Sequence, residues 1–168
     1  HVLAARAGRA FHEMTPISYT PAEPGRVYRK IAYGPLVDVF FLDMRSYRAA
    51  NSENTQDAPS DATVFMGQEQ IAWLKRELAN SRATWKIIAA DMPIGLVVRD
   101  GDTKFEAIAN ADDGGAKGRE FEIADLLRSQ RARHDLWPRS QVRRRPDRRT
   151  GRQPAAFHGS AVFRPCRH

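Results

Sequence analysis

The sequence predicts an α/β fold organised around one βαβ unit, and three observations carry that expectation. Residues 37–48 (VDVFFLDMRSYR) form an apolar and aromatic run with almost no polar alternation, broken abruptly by Asp43, Arg45 and Arg48. Such a run reads as a strand buried on both faces, at the point where it surfaces. Residues 85–90 (WKIIAA) form a second run of this kind, ending on Asp91 and Pro93. Between them, residues 67–78 place Ile71, Leu74 and Leu78 at helical spacing with Trp73 beside them. Crossovers of this type are right-handed in nearly all cases, so the two strands are expected to be parallel and close together. Asp43 and Asp91 then emerge on one edge, and open α/β sheets bind ligands outside the carboxyl ends of their strands.

The other elements follow in chain order. Val2, Leu3, Ala7, Ala10 and Phe11 make a helical stripe that Pro16 and Pro21 terminate, so residues 1–14 are expected to be helical. Residues 26–33 (RVYRKIAY) alternate with period two, and Gly34 and Pro35 turn the chain into the central strand, which predicts a hairpin. Residues 51–63 have the composition of a surface loop. In the helix that follows, Glu69 falls in the first turn and Lys75 and Arg76 are expected in the last, as the macrodipole favours. A DG turn lies at residues 100–101, and DDGGAKG at 112–118 reads as a flexible loop. Residues 119–128 predict a final helix with Phe121, Ile123, Ala124 and Leu127 inward, and Trp73, Trp85 and Phe121 are expected in the core.

Charge divides the chain in two. The net charge is +7 over 168 residues, yet the residues before Arg128 carry 15 Lys and Arg against 18 Asp and Glu, and those from Arg128 onward carry 12 Arg against 2 Asp. The body is an ordinary, slightly acidic sequence. Residues 129–168 are Arg- and Pro-rich without apolar period, and are expected to be a disordered tail outside the folded unit at 1–128. Cys166 is the single cysteine and has no ligand partner nearby in sequence. There is no signal sequence and no apolar stretch near the roughly 20 residues a membrane span requires, so no membrane partner is expected. The chain opens mid-pattern and reads as an internal piece.

Five blocks carry a resemblance: AFHEMTPI (residues 10–17), VYRKIAYGPLVDVFFLDMRSYR (27–48), MGQEQIAWLKREL (66–78), ATWKIIAADMPIG (83–95) and GREFEIADLLR (118–128). In that order and spacing they resemble the alkaline phosphatase D-like (PhoD-like) metallophosphatases. The resemblance implies a calcineurin-like α/β sandwich that hydrolyses phosphate mono- or diesters, and a parent protein exported to the periplasm or beyond. It also implies a metal centre, iron and calcium in the known type and other divalent ions elsewhere, whose ions would polarise the ester and activate water. The family's GDxIY-like, WDDHExxNN-like and ADVHY-like motifs, which supply most of that centre, have no match here. No metal is therefore expected to bind this chain, which is expected to be inactive alone. Codon degeneracy over residues 157–168, read one base along, permits the family's aromatic run, so a frame change near Arg128 is expected to have produced the tail.

Individual residues leave alternatives open. Asp43 and Arg45 are the candidate substrate-pocket residues, since a guanidinium fork suits phosphate oxygens; the competing reading is an Asp43–Arg45 pair that ties down the loop. Asp91 reads as a strand-end cap rather than a ligand. Asn110, Asp112 and Asp113 lack the spacing of a calcium loop, and Gly114, Gly115 and Gly118 precede a helix without the Lys-Ser/Thr of a phosphate loop. His12 has no second His at i+4 and reads as a surface or packing residue. A different class of function, an α/β scaffold whose Arg tail binds nucleic-acid phosphates, rests on Arg143, Arg144, Arg145, Arg148 and Arg149; that run lacks aromatics and helical period, which disfavours it.

Overall fold

Both apolar runs form strands, and they pair as the crossover requires. In a computed structural model that describes residues 2–136, β2 (Val37–Phe41) and β3 (Trp85–Ala89) run parallel with Val39 opposite Ile87. The strand β1 (Arg29–Tyr33) precedes them and lies antiparallel to β2, giving the sheet order β1-β2-β3. Gly34 closes that hairpin with φ +67°, a left-handed backbone that glycine adopts at no steric cost. The connection from β2 to β3 contains a 3-10 turn at Asp61–Thr63 and the helix α2, Gln68–Asn80.

The core lies on one side of this sheet. Phe40 and Leu42 point to the face that α2 covers, and they cluster there with Tyr28, Met44, Ile71, Trp73 and Leu74, all nearly or wholly buried. Polar groups on that face are matched: Lys30 pairs with Glu77 at 3.2 Å, and the Ser81 hydroxyl donates to Asp38 at 2.6 Å. The opposite face is open. Trp85 is 40% exposed and Ile87 49%, so the expected burial of both faces, and of Trp85 in the core, does not hold among the described residues. An apolar run signals two burying faces but not which chain segment covers the second.

Beyond β3 the chain forms a two-stranded hairpin, β4 (Arg99–Asp100) and β5 (Lys104–Phe105), then enters α3, Glu120–Leu136. That helix does not stop at Arg128. No proline interrupts it before Pro138, and the intervening Gln, Arg and Ala are good helix formers. Its phase also differs from expectation: Leu126 is buried while Leu127 is 43% exposed, and Phe121 is half-buried. α2 continues to Asn80, which places Lys75 and Arg76 before the last turn, not in it; Lys75 instead pairs with Asp125 of α3. The N-terminal helix α1, Val2–Met14, forms as expected but buries no residue, and His12 packs edge-on against Phe11 and Tyr19. Of the tail expected at residues 129–168, residues 129–136 belong to α3 and the rest lies outside the described residues.

Three residues of the 110–122 region hold the loops together. Gly118 sits at φ +54° with its Cα against Asn54: a Cβ there would lie 2.2 Å from Asn54 Oδ1 and 2.7 Å from Asn54 O. Gly118 thus serves close packing just before α3. Arg119 is fully buried and donates to the carbonyls of Phe105, Glu106 and Ala107 at 3.0–3.3 Å and of Ala50 at 2.8 Å. Burial, and secondarily the neighbouring Arg48, lower its pKa. Glu122 accepts the N–H groups of Phe65, Met66 and Gly67 at 3.2, 2.7 and 3.2 Å, satisfying the backbone donors of the segment that leads into α2.

Candidate functional site

The carboxyl edge of β2 and β3 is where the sequence points, and the geometry there begins with Gln70. The last ladder bond of β2 runs from Leu42 N–H to Ala89 O at 2.9 Å. One residue later, the carboxamide of Gln70, on the first turn of α2, takes over: its Oε1 accepts from Asp43 N–H at 2.7 Å and its Nε2 donates to Asp43 O at 2.8 Å. A third bond, to Met66 O at 2.9 Å, fixes the amide. Gln70 is 1% exposed and behaves as a one-residue extension of the sheet. Sequence reading missed it, and its only signal is its place on the helix beside the inward Ile71.

Asp43, so held, is 6% exposed. Its Oδ1 accepts from the N–H groups of Arg45 and Ser46, both at 2.9 Å, which makes an Asx-type turn that ends the strand. Its Oδ2 is buried without a hydrogen-bond partner among the described residues. Nearby, burial raises the pKa of the Tyr47 phenol, with the charges of Glu23 and Asp43 adding to the effect.

Arg45 does not pair with the Asp43 carboxylate. Its Nε donates to Asp91 Oδ2 at 2.7 Å, one Nη to Glu106 Oε1 at 3.0 Å and the other to Met92 Sδ at 3.1 Å. Asp91 is therefore an ion-pair partner rather than a cap. These two carboxylates, the Asp91 bond first, raise the guanidinium pKa. The side chain is 55% exposed, so each pair contributes only about 0–1 kcal/mol. Arg48 adds a bond to Glu106 O at 2.9 Å, bonds Asn51 through the same nitrogen, and lies 3.8 Å from Glu106 Oε1. Arg45 and Arg48 thus bracket the ends of β2 and β3 to the segment around Glu106.

The two arginines stand among three carboxylates, Asp43, Asp91 and Glu106, with the buried Arg119 guanidinium beside Arg48, so the local charge is close to balanced. An isolated phosphate dianion would meet no net attraction there. Among the described residues no three His, Cys, Asp or Glu side chains stand close enough to hold a metal ion. Asp91 and Glu106 are already committed to Arg45, so the residues present do not fit a metal centre of their own. The Asn110–Asp113 loop is an Asx turn: Asn110 Oδ1 accepts from Asp112 N–H at 2.8 Å, and Asp112 pairs with Lys117 at 2.8 Å, which lowers its pKa. A shallow cavity of about 290 Å³ lies elsewhere, lined by Pro16, Ser18, Thr20, Tyr28 and Lys30 among others; neither Asp43 nor Arg45 borders it.

Comparison with known proteins places the chain in a family. A solved structure titled "Structure of PhoD" shares the fold with a TM-score of 0.55 at 23% identity, over 76% of this chain and 26% of its own. "Alkaline phosphatase D" of Bacillus subtilis (strain 168) is 35% identical over 94 residues, which is 51% of this chain and 16% of that protein. This chain thus spans about a sixth of that curated relative and about a quarter of the solved one. The family model described as PhoD-like phosphatase matches residues 1–137, past Arg128 and onto the end of α3. With that much of its 168 residues inside the pattern, the chain belongs to the PhoD-like phosphatase family.

Proposed function

We propose that the chain forms part of a metal-dependent phosphoric ester hydrolase, and that its contribution is one rim of the substrate site at the carboxyl edge of β2 and β3. The observation that carries the reading is the family match over residues 1–137. Arg45 supports the rim assignment: with three of its five N–H groups used, two are uncommitted among the described residues on a half-exposed guanidinium. Asp43 supports it through a rigid turn that aims Arg45. The near-balanced local charge then has a physical meaning, because a phosphate ester binds here once cations from elsewhere in the enzyme add a net positive charge. Those cations, iron, calcium or other divalent ions, would polarise the ester and activate the attacking water. The described α/β unit would belong to a calcineurin-like sandwich, and the resemblance supports export of the parent enzyme.

The test is hydrolysis of p-nitrophenyl phosphate and bis(p-nitrophenyl) phosphate, with and without divalent metal. It is run on a protein of full PhoD-like length carrying residues 1–137 and on this 168-residue chain alone. Metal-dependent turnover is expected from the longer protein and none above background from the chain alone. Arg45→Ala in the longer protein raises KM about tenfold if Arg45 touches phosphate. Unchanged kinetics with lowered stability would leave Arg45 as a bracket only. Chelator-sensitive turnover by this chain alone would overturn the account of its metal ligands, and no hydrolysis of either ester by the longer protein would overturn the phosphoesterase reading. The reading in which an Arg tail binds nucleic acid depends on Arg143, Arg144, Arg145, Arg148 and Arg149, which lie outside the described residues, and no comparison favours it.

A further inference from the structure

The polar end of β2 is held by a side chain where a neighbouring strand would ordinarily hold it. Past the Leu42 bond to Ala89, β3 has ended, and the N–H and carbonyl of Asp43 have no ladder partner. The Gln70 carboxamide answers both, because an amide offers a donor and an acceptor side by side. Gln70 is itself fixed from two directions. Its Nε2 donates to Met66 O at 2.9 Å, and Glu122 of α3 grips the N–H groups of residues 65–67 just before it. The turn so held carries a strain of its own. Asp43 Oδ2 is buried without a partner among the described residues, although the turn to Arg45 and Ser46 uses only Oδ1. An unpaired buried carboxylate oxygen favours a turn that swings out to water. The two backbone bonds from Gln70 oppose that swing.

We propose that Gln70 is a positioning residue for Arg45, acting through the Asp43 turn. Arg45 follows Asp43 by two residues, and its backbone N–H is fixed on Asp43 Oδ1. The guanidinium has its own partners in Asp91, Glu106 and Met92, but those contacts are half-exposed and individually weak. The direction in which the Arg45 side chain leaves the strand end is therefore set by the Asp43 backbone, and that backbone is set by Gln70. A shift of about 1 Å at a group that holds a substrate is enough to lose much of its effect. Gln70 is buried and reaches Arg45 only through Asp43. The proposal rests on the reading of Arg45 as part of the substrate rim and adds the residue that aims it.

The test uses Gln70→Leu and Gln70→Glu, with Leu74→Ala, a buried position of the same helix, as the control for lost stability. In this chain, NMR follows hydrogen exchange at the Arg45 Nε–H, the group bonded to Asp91 and assigned by its absence in Arg45→Ala. Q70L is expected to speed that exchange at least about fivefold and L74A less than about twofold. In the longer PhoD-like protein, Q70L is expected to raise KM for p-nitrophenyl phosphate about tenfold with kcat within about threefold, and to add less than about twofold to the effect of Arg45→Ala. Q70E supplies a readout that lost stability alone does not move, and it carries both arms if Q70L does not fold. Protonated, the new carboxyl donates to Asp43 O and accepts from Asp43 N–H as the amide did; ionised, it has no donor. Burial raises its pKa, so the KM of Q70E relative to the native protein is expected to be high at about pH 8 and to recover as pH falls toward about 5. Arg45 exchange unchanged in Q70E, equal acceleration in L74A and Q70L, or a Q70E KM ratio flat with pH would overturn the proposal. A native KM for Arg45→Ala would remove the rim assignment instead, and the exchange arm would still decide whether Gln70 aims Arg45.

Discussion

Gly118→Ala tests whether the loops are held as the structure implies. The left-handed backbone at φ +54° costs a residue with a Cβ about 1–2 kcal/mol. The new methyl would also lie 2.2 Å from Asn54 Oδ1 and 2.7 Å from Asn54 O, far inside contact distance, so Asn54 must move. Asn54 is wholly buried. It donates to Ile108 O at 2.6 Å, and accepts from Arg119 N–H at 2.7 Å and from Asn110 Nδ2 at 2.9 Å. Losing two of these three bonds at about 1 kcal/mol each brings the cost to about 3–4 kcal/mol. With a urea m-value of about 2 kcal/mol/M, the midpoint falls by about 1.5–2 M. That is a large part of the stability of a small domain. Urea unfolding followed through the buried Trp73 reads the shift. Gly115→Ala is the control, since nothing lies within 4 Å of the Cβ it adds and its φ is not positive. A midpoint loss for G118A no larger than that of G115A would show that Asn54 yields freely and refute the packing argument.

Two further predictions follow from the same region. Arg119→Met leaves the carbonyls of Ala50, Phe105 and Glu106 without their buried donor and is expected to cost about 3 kcal/mol or more in urea unfolding; Arg119→Lys recovers less than half, because one ammonium cannot span both loops. For Glu122, burial raises the folded pKa above its ordinary value of 4.5, although the N–H groups of Phe65, Met66 and Gly67 oppose the shift. A raised carboxyl pKa gives a stability contribution that is full below 4.5 and lost as pH rises through the folded value. The stability of the native chain relative to Glu122→Gln should therefore decline as pH rises from below 4.5, and a flat or rising difference would contradict the direction of the shift.

Much of the scaffold is written in local pattern, and the departures have physical causes. Val37–Phe41 and Trp85–Ala89 were legible because long apolar runs separated by one helical period leave few alternatives to a parallel pair. The extent of burial was not legible, since Trp85 has the same neighbours in sequence whether or not a second layer covers it. Helix phase was legible only to one residue: with Leu126 and Leu127 adjacent, α3 turned in the first and exposed the second. Asp43 and Arg45 were found from the abrupt end of a strand. Their actual partners, Gln70, Asp91 and Glu106, come from distant segments, and no spacing rule connects position 45 to position 106. Arg119 is the hardest case, because an arginine in a polar loop ordinarily signals solvent.

The bonds made by residues 118–122 also set an order of events. Gly118 N–H closes on Gln56 O, Arg119 on Ala50, and Glu122 on residues 65–67, each across more than fifty residues of chain. Contacts of such separation form late, because loop closure must precede the reward. On the ribosome, α2 and both parallel strands emerge while the start of α2 and the loop after β2 still carry unanswered backbone groups. Until the GREFE segment has left the tunnel, the nascent chain holds its scaffold without its fastenings, and a synthesis pause or truncation just before Gly118 would release a sheet primed to pair with its neighbours instead.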